Sequence, residues 1–255
     1  HRRGSGRDVL RLRRIFRLYV PIILGLLVTQ VQIFVGLRLA SGTGPGGISW
    51  MNYATTLMQF PLGLAAYAVS LAVLPTLARH AGESGAENPA EFKATLGHGL
   101  NMVLILIIPA AVGLFVLARP IAGLLFEHGK FTVQDTAETA RVLRFFLPGL
   151  SFAAVDTLLI FAFYARKDTL TPALVGVGSV AVYLAVAPAL LGPLGLLSLM
   201  VADSLKQVFH ALLTGALLSR RTGGLGTRLW GTLGKALLAA GLLGVVAELL
   251  RVAVE

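Results

Sequence analysis

The chain has 255 residues, 56% of them hydrophobic and 13% charged, a net charge of +10 and no cysteine. Ordinary soluble domains carry about a quarter charged residues, so this composition argues against a water-soluble fold, and the lack of thiols excludes disulfides and thiolate metal sites. The basic residues sit at the ends of apolar runs rather than along one polar face, which argues against nucleic acid as a partner.

Residues 1–17 form a basic segment that lacks an initiator Met, and no small-residue cleavage signal follows the next span, so it is not a secretory peptide; a longer parent protein is expected. Helices are predicted at about 18–41, 48–78, 95–118, 145–165, 171–191 and 195–218, with a seventh near 232–250 that carries Lys235 and Glu248 near its ends. No charged side chain lies between Arg17 and Arg38, Arg38 and Arg79, Lys93 and Arg119, or Asp168 and Asp203. A helix needs about 20 apolar residues to cross the hydrocarbon core, so each interval holds one or two crossings. SGTGPGG at 41–47, GESGAENPAE at 82–91, RKDTLTP at 166–172, GPLG at 192–195 and RRTGGLG at 220–226 mark the breaks. The longest connection, 119–144, carries Thr132, Gln134 and Asp135, then Thr139, Val142 and Leu143, a pattern that predicts a short helix lying at the interface. The expected fold is all-α, a polytopic transmembrane helix bundle. Residues 18–218 form its six-helix lobe, and residues 219–255 a basic loop with an extra helix.

Alternate loops give the side of the N-terminus fifteen Lys and Arg, and the other side six. By the positive-inside rule the N-terminal segment is expected in the cytoplasm, and SGTGPGG and the 119–144 connection outside.

Few polar residues lie within the spans. On the second helix Asn52, Thr56, Gln59, Gly63 and Ser70 fall on one side at 100° per residue. They form either a cavity face or hydrogen-bonding glue between helices. On the sixth, Asp203, Lys206, Gln207, His210 and Thr214 share a face, with Asp203 and Lys206 spaced to pair. Asp156 lies within the fourth span. Ionisable groups at membrane depth cost about 2.5–3.5 kcal/mol, so they face a bundle interior or a wet cavity, and a self-neutralised packing pair is the alternative for Asp203 and Lys206. Arg38, near the end of its helix, has the position of a snorkelling interfacial residue. There is no Walker-type loop, no zinc-ligand spacing among the histidines and no acidic or His-rich loop cluster, so ATP-driven pumping and metal-dependent group transfer are not indicated. Moving or holding something in the membrane remains.

SWMNYATTLMQFPLG at 49–63 running on to LPTLARHA at 74–81, FEHGKFTVQDT at 126–136 and FYARKDTLTP at 163–172 are specific in combination. In order and spacing they resemble the second lobe of the MurJ/MviN family of lipid II flippases, a branch of the multidrug/oligosaccharidyl-lipid/polysaccharide exporter superfamily. The resemblance covers the chain from about Arg11 to Arg221. It implies two six-helix lobes around a central cavity, this chain being the second lobe plus a thirteenth helix, with the first lobe missing. It further implies a transporter rather than an enzyme, without cofactor or metal, in the bacterial cytoplasmic membrane. Its task would be to move lipid II, the undecaprenyl-pyrophosphate-linked precursor, to the external leaflet by alternating access. The implied partners are lipid II, membrane lipids and the N-terminal lobe.

With the resemblance, substrate binding is expected on Arg38, Asn52, Thr56 and Gln59, while the cost of ionisable groups at membrane depth puts cavity or coupling roles on Asp156, Asp203, Lys206 and His210. Thr56 stands where the family commonly has Arg, and Gln59 near where an acid can occur, so Arg38 or the missing lobe would supply the charge for pyrophosphate. The fifth helix has no Asp or Asn for a cation site of the kind proposed in the family. Another polysaccharide-lipid or drug exporter, and a non-transporting membrane scaffold, are the alternatives.

Overall fold

The computed structural model describes residues 27–82 and 88–225, together with positions 23, 25, 234 and 241. The basic segment 1–17, the start of the first predicted helix and nearly all of the predicted seventh lie outside the described residues. Regular structure among the described residues is helical. Helix α1 covers Leu27–Ser41. Helix α2, Gly47–Pro61, continues through a π turn, Leu62–Tyr67, into α3, Ala68–His80. Then follow α4, Pro89–Val116, α5, Ala118–Phe126, and α6, Val133–Ala165. Helix α7, Leu170–Ala189, the single turn α8, Leu191–Leu194, and α9, Leu197–Thr222, complete the described bundle.

Among the described residues, four stretches are long and apolar enough to cross a membrane: Gly47–His80, Pro89–Val116, Val133–Ala165 and Leu170–Ala189. Helix α9 is 26 residues long but carries Asp203, Lys206 and His210 in its inner turns and two arginines in its last.

The helix ends follow local chemistry. Asn88 accepts from the Glu91 amide at 3.2 Å with Pro89 behind it, which starts α4. At α6 the Thr132 hydroxyl accepts from the Asp135 amide at 3.3 Å while Asp135 accepts from the Thr132 amide at 2.8 Å. This reciprocal cap opens a 33-residue helix, not the short interfacial one expected, and the fourth predicted span begins at Val133 rather than 145. The reason is the charge spacing. Asp135, Glu138, Arg141 and Arg144 recur every three residues along one side, while Thr136, Thr139, Ala140, Val142 and Leu143 are buried on the other. The helix is about 50 Å long at 1.5 Å per residue, so it holds both an amphipathic end and a crossing.

Pro61 marks a second departure. Beyond it the Leu62 amide bonds to the Gln59 carbonyl, and the Ala68 amide reaches five residues back to Gly63. The wide turn carries an additional residue and shifts the phase of everything after it. Ser70, expected on the same stripe as Asn52, is therefore turned onto the packed face and fully buried.

Helix α6 is the axis of the lobe. Its buried Leu143, Leu150, Leu158, Leu159 and Phe163 belong to the hydrophobic core, and it packs against α2, α4 and α9. Helices α6 and α9 cross closely at Gly149, where a Cβ would lie 2.8 Å from the Ser204 Cα. Helix α1 lies along α7, with Gly36 against the Tyr183 hydroxyl.

Contacts among helix termini and the adjoining loops define two ends. At one, the Trp50 indole donates to Asp135 at 2.8 Å, and Tyr53 packs on Phe126 and Phe131 at 4.6 and 4.9 Å. At the other, the Lys93 ammonium donates to the Gly223 carbonyl at 2.6 Å, Arg166 lies over Phe92 at 5.5 Å, and Asp168 pairs with Arg221. Burial pushes the Asp168 carboxyl up, but hydrogen bonds from the Thr171 hydroxyl and amide and from Arg221, with the guanidinium charge, hold it below the usual carboxylate range. A carboxylate depressed in the folded state adds stability above the unfolded value of about 4, and that stability is lost as pH falls through the lower folded value. Asp168→Asn should flatten the acid limb of a thermal-melt profile of the full-length protein, its deficit against wild type being full above about pH 4 and shrinking as pH falls. A variant that keeps the full acid slope would remove Asp168 as its source.

Candidate functional site

Asn52, Thr56, Gln59 and Gly63 are spaced four, three and four residues apart and are all exposed along α2 and the first part of the π turn. The Thr56 hydroxyl donates to the Asn52 carbonyl at 3.0 Å, a bond within the helix. The side-chain amides of Asn52 and Gln59 make no hydrogen bond among the described residues, so within them this face joins no neighbouring helix. Arg38 is exposed near the end of α1 and forms no ion pair among the described residues. Beside Gln59, an open apolar groove of about 420 Å³ runs between the π turn and α4, lined by Phe60, Pro61, Leu64, Leu106 and Leu114 among others. It offers dispersion contacts and suits a hydrocarbon chain.

The polar stripe on α9 divides between two neighbours. Lys206 and Asp203 pair at 2.6 Å, and both approach Gln32 of α1, at 3.5 Å from the ammonium and 3.4 Å from the carboxylate. The side chains of Asp203 and Lys206 are 17% and 15% exposed, so the pair is largely withdrawn from its surroundings and its charges cancel in place. One turn further, the His210 ring turns to α6, where its Nδ1 lies 2.7 Å from Asp156 Oδ1. Thr214 closes this second cluster by donating to the His210 carbonyl at 2.6 Å. Asp156 and His210 are buried in the lobe interior, at 6% and 8% exposure, away from the open face of α2.

Of the eight residues singled out in the sequence, Asn52, Thr56 and Gln59 thus share one open face. Arg38 stands on another helix, and the remaining four form two internal pairs. Gln32 was overlooked, although a pair of amides, Gln30 and Gln32, inside an apolar run is a visible signal. The partnership of Asp156 with His210 bridges 54 positions and has no signal in spacing.

Long apolar helices, polar groups paired inside the bundle and one unpartnered polar face define a polytopic α-helical membrane protein. The family model described as lipid II flippase MurJ matches residues 6–255, and the chain belongs to that family. The probable lipid II flippase MurJ of Haemophilus influenzae is 38% identical over 168 residues, covering 64% of this chain and 33% of the relative. That of Bdellovibrio bacteriovorus is 33% identical over 213 residues, 84% of this chain and 40% of the relative. The chain therefore spans less than half the length of these curated relatives. A solved lipid II flippase MurJ in an inward closed conformation has the same fold, with a TM-score of 0.74 at 22% identity over 96% of this chain and 55% of the solved one.

Proposed function

We propose that the chain is the cavity-forming second lobe of a lipid II flippase, a membrane transporter rather than an enzyme, working in the bacterial cytoplasmic membrane. The observation that carries this reading is the open polar face of α2. Asn52, Thr56 and Gln59 are exposed on a helix otherwise fit for lipid, where unpartnered amides are costly. A wet cavity shared with a further lobe satisfies them, and the share of its relatives that the chain covers leaves room for such a lobe. The excess of Lys and Arg at the end that holds Lys93, Asp168 and Arg221 supports a cytoplasmic location for that end.

In this reading the amides hydrogen-bond the sugar and peptide headgroup while the polyprenyl tail stays in lipid. Arg38 supplies a cation for pyrophosphate, with the remaining charge coming from the other lobe. The clamp of Gln32 on Asp203 and Lys206 makes α1 move with α9 when the lobes rock.

The test uses the full-length protein in a flippase-depleted bacterium. Wild type should restore growth and externalise lipid II. Arg38→Ala should slow externalisation about tenfold or more, the effect of one charge-assisted hydrogen bond, and Asn52→Ala and Gln59→Ala less, all at normal membrane levels. Unchanged transport in all three variants would sink the site assignment. Failure of a correctly inserted wild type to complement would instead favour a scaffold, a reading that the uncharged α2 face allows. Complementation with competition by drug cations, not lipid II, would point to another exporter.

A further inference from the structure

Asp156 and His210 join α6 to α9 by a contact that the cavity face does not use, and their chemistry is that of a proton site. The carboxylate and the imidazole are 2.7 Å apart, and each residue is more than nine-tenths buried. With the ring neutral the pair carries a net negative charge inside the lobe; with one further proton it becomes a carboxylate–imidazolium pair of net charge zero. A buried site of low dielectric favours the neutral state unless another charge compensates.

No such charge faces it among the described residues. On α9, Lys206 stands one turn before His210, but its ammonium is bound to Asp203. On α6, Tyr164 stands about two turns beyond Asp156 and is exposed. Helix α7 presents Gly176 to the ring, where a Cβ would lie 3.7 Å from Nε2, and its Tyr183 hydroxyl lies against Gly36 of α1 instead. Helix α1 brings Gln32 to Asp203 and Lys206. Tyr53 of α2 packs on Phe126 and Phe131, and Arg79 of α3 bonds to Thr76. His80 meets Thr95, His98 of α4 bonds its own helix at Ala94, and Lys93 holds the Gly223 carbonyl. Glu91 of α4 lies in that helix's first turn, Arg119 of α5 is exposed, and α8 carries no titratable group.

We propose that Asp156 and His210 together bind one proton that ties α6 to α9, and that its loss loosens the two helices. Because α9 also carries the Asp203–Lys206 clamp on Gln32, loosening α9 frees α1 as well. The inference adds a proton-sensitive element to the proposed flippase, but the site itself does not depend on lipid II.

Hydrogen–deuterium exchange of the full-length protein in lipid nanodiscs, corrected for intrinsic rates, tests it between about pH 8 and about pH 5.5, where an imidazole titrates. In wild type, protection of α6 and α9 should rise toward about tenfold per unit as pH falls, the linkage of one proton. The doubly neutral Asp156→Asn, His210→Gln variant should show no such slope. A flat wild-type profile, or the same slope in the double variant, overturns the proposal. Should the double variant fold poorly, ring-¹⁵N resonances of wild-type His210 provide the second measurement, and an imidazole that stays neutral across the window also overturns it. Lipid II externalisation is measured separately, so a pH-dependent profile without transport would retain the proton site and remove the flippase reading.

Discussion

Lys206→Met is expected to destabilise the lobe by up to about 3–5 kcal/mol, the loss when one partner of a fully buried ion pair is removed, this pair being partly buried. Lys206 lies 2.6 Å from Asp203, and after the substitution the nearest group to that carboxylate is the Gln32 amide at 3.4 Å. A neutral donor at that distance cannot replace a cation at membrane depth, so the carboxylate either takes up a proton or draws α9 toward water. The paired substitution Asp203→Leu, Lys206→Met removes both charges and keeps much of the volume, and should be near neutral. Equilibrium unfolding of the full-length protein in mixed micelles, run as a double-mutant cycle, gives the coupling directly. If the single and double variants lose the same stability, the pair is only tethered apolar bulk.

The second large effect is steric. Gly149→Val should cost about 1–3 kcal/mol, because a Cβ there would stand 2.8 Å from the Ser204 Cα, 3.0 Å from its Oγ and 3.2 Å from its Cβ. The nearest atom belongs to the backbone, so no rotamer change relieves the overlap and the two helices must separate. Ser204 also donates to the Phe145 carbonyl at 3.2 Å, a bond that separation would break. The diagnostic is a failed rescue. Adding Ser204→Gly removes the Oγ and Cβ but not the Cα, so the unfolding midpoint should stay low; full recovery would place the strain in the side chain instead.

Both effects arise where α9 meets its neighbours, and these contacts separate what one-dimensional pattern reveals from what packing adds. Apolar length and turn chemistry suffice for the all-α membrane bundle and for most helix positions, because a helix satisfies its own backbone and needs only enough apolar residues to span the bilayer. The open face at Asn52, Thr56 and Gln59 also follows from local period, since no irregularity lies between those residues. Ser70 does not follow, because the π turn after Pro61 breaks the 100° count. The start of α6 was hidden for a related reason: its charges resembled a loop until their three-residue spacing was set against the buried side.

The family match extends over residues 6–255, and the segments at 49–63, 74–81, 126–136 and 163–172 make the resemblance legible because each is a short stretch read within the chain itself. What spacing leaves open is the partner of each buried charge. Asp203 and Lys206 are close along α9 and their pairing is local, but Gln32 comes from α1, 171 positions away from Asp203. His210 shares the α9 stripe yet binds Asp156 on α6. Helical periodicity specifies the face on which a side chain stands; the rotation and crossing of whole helices, set by close approaches such as Gly149 on Ser204, specify what that face meets.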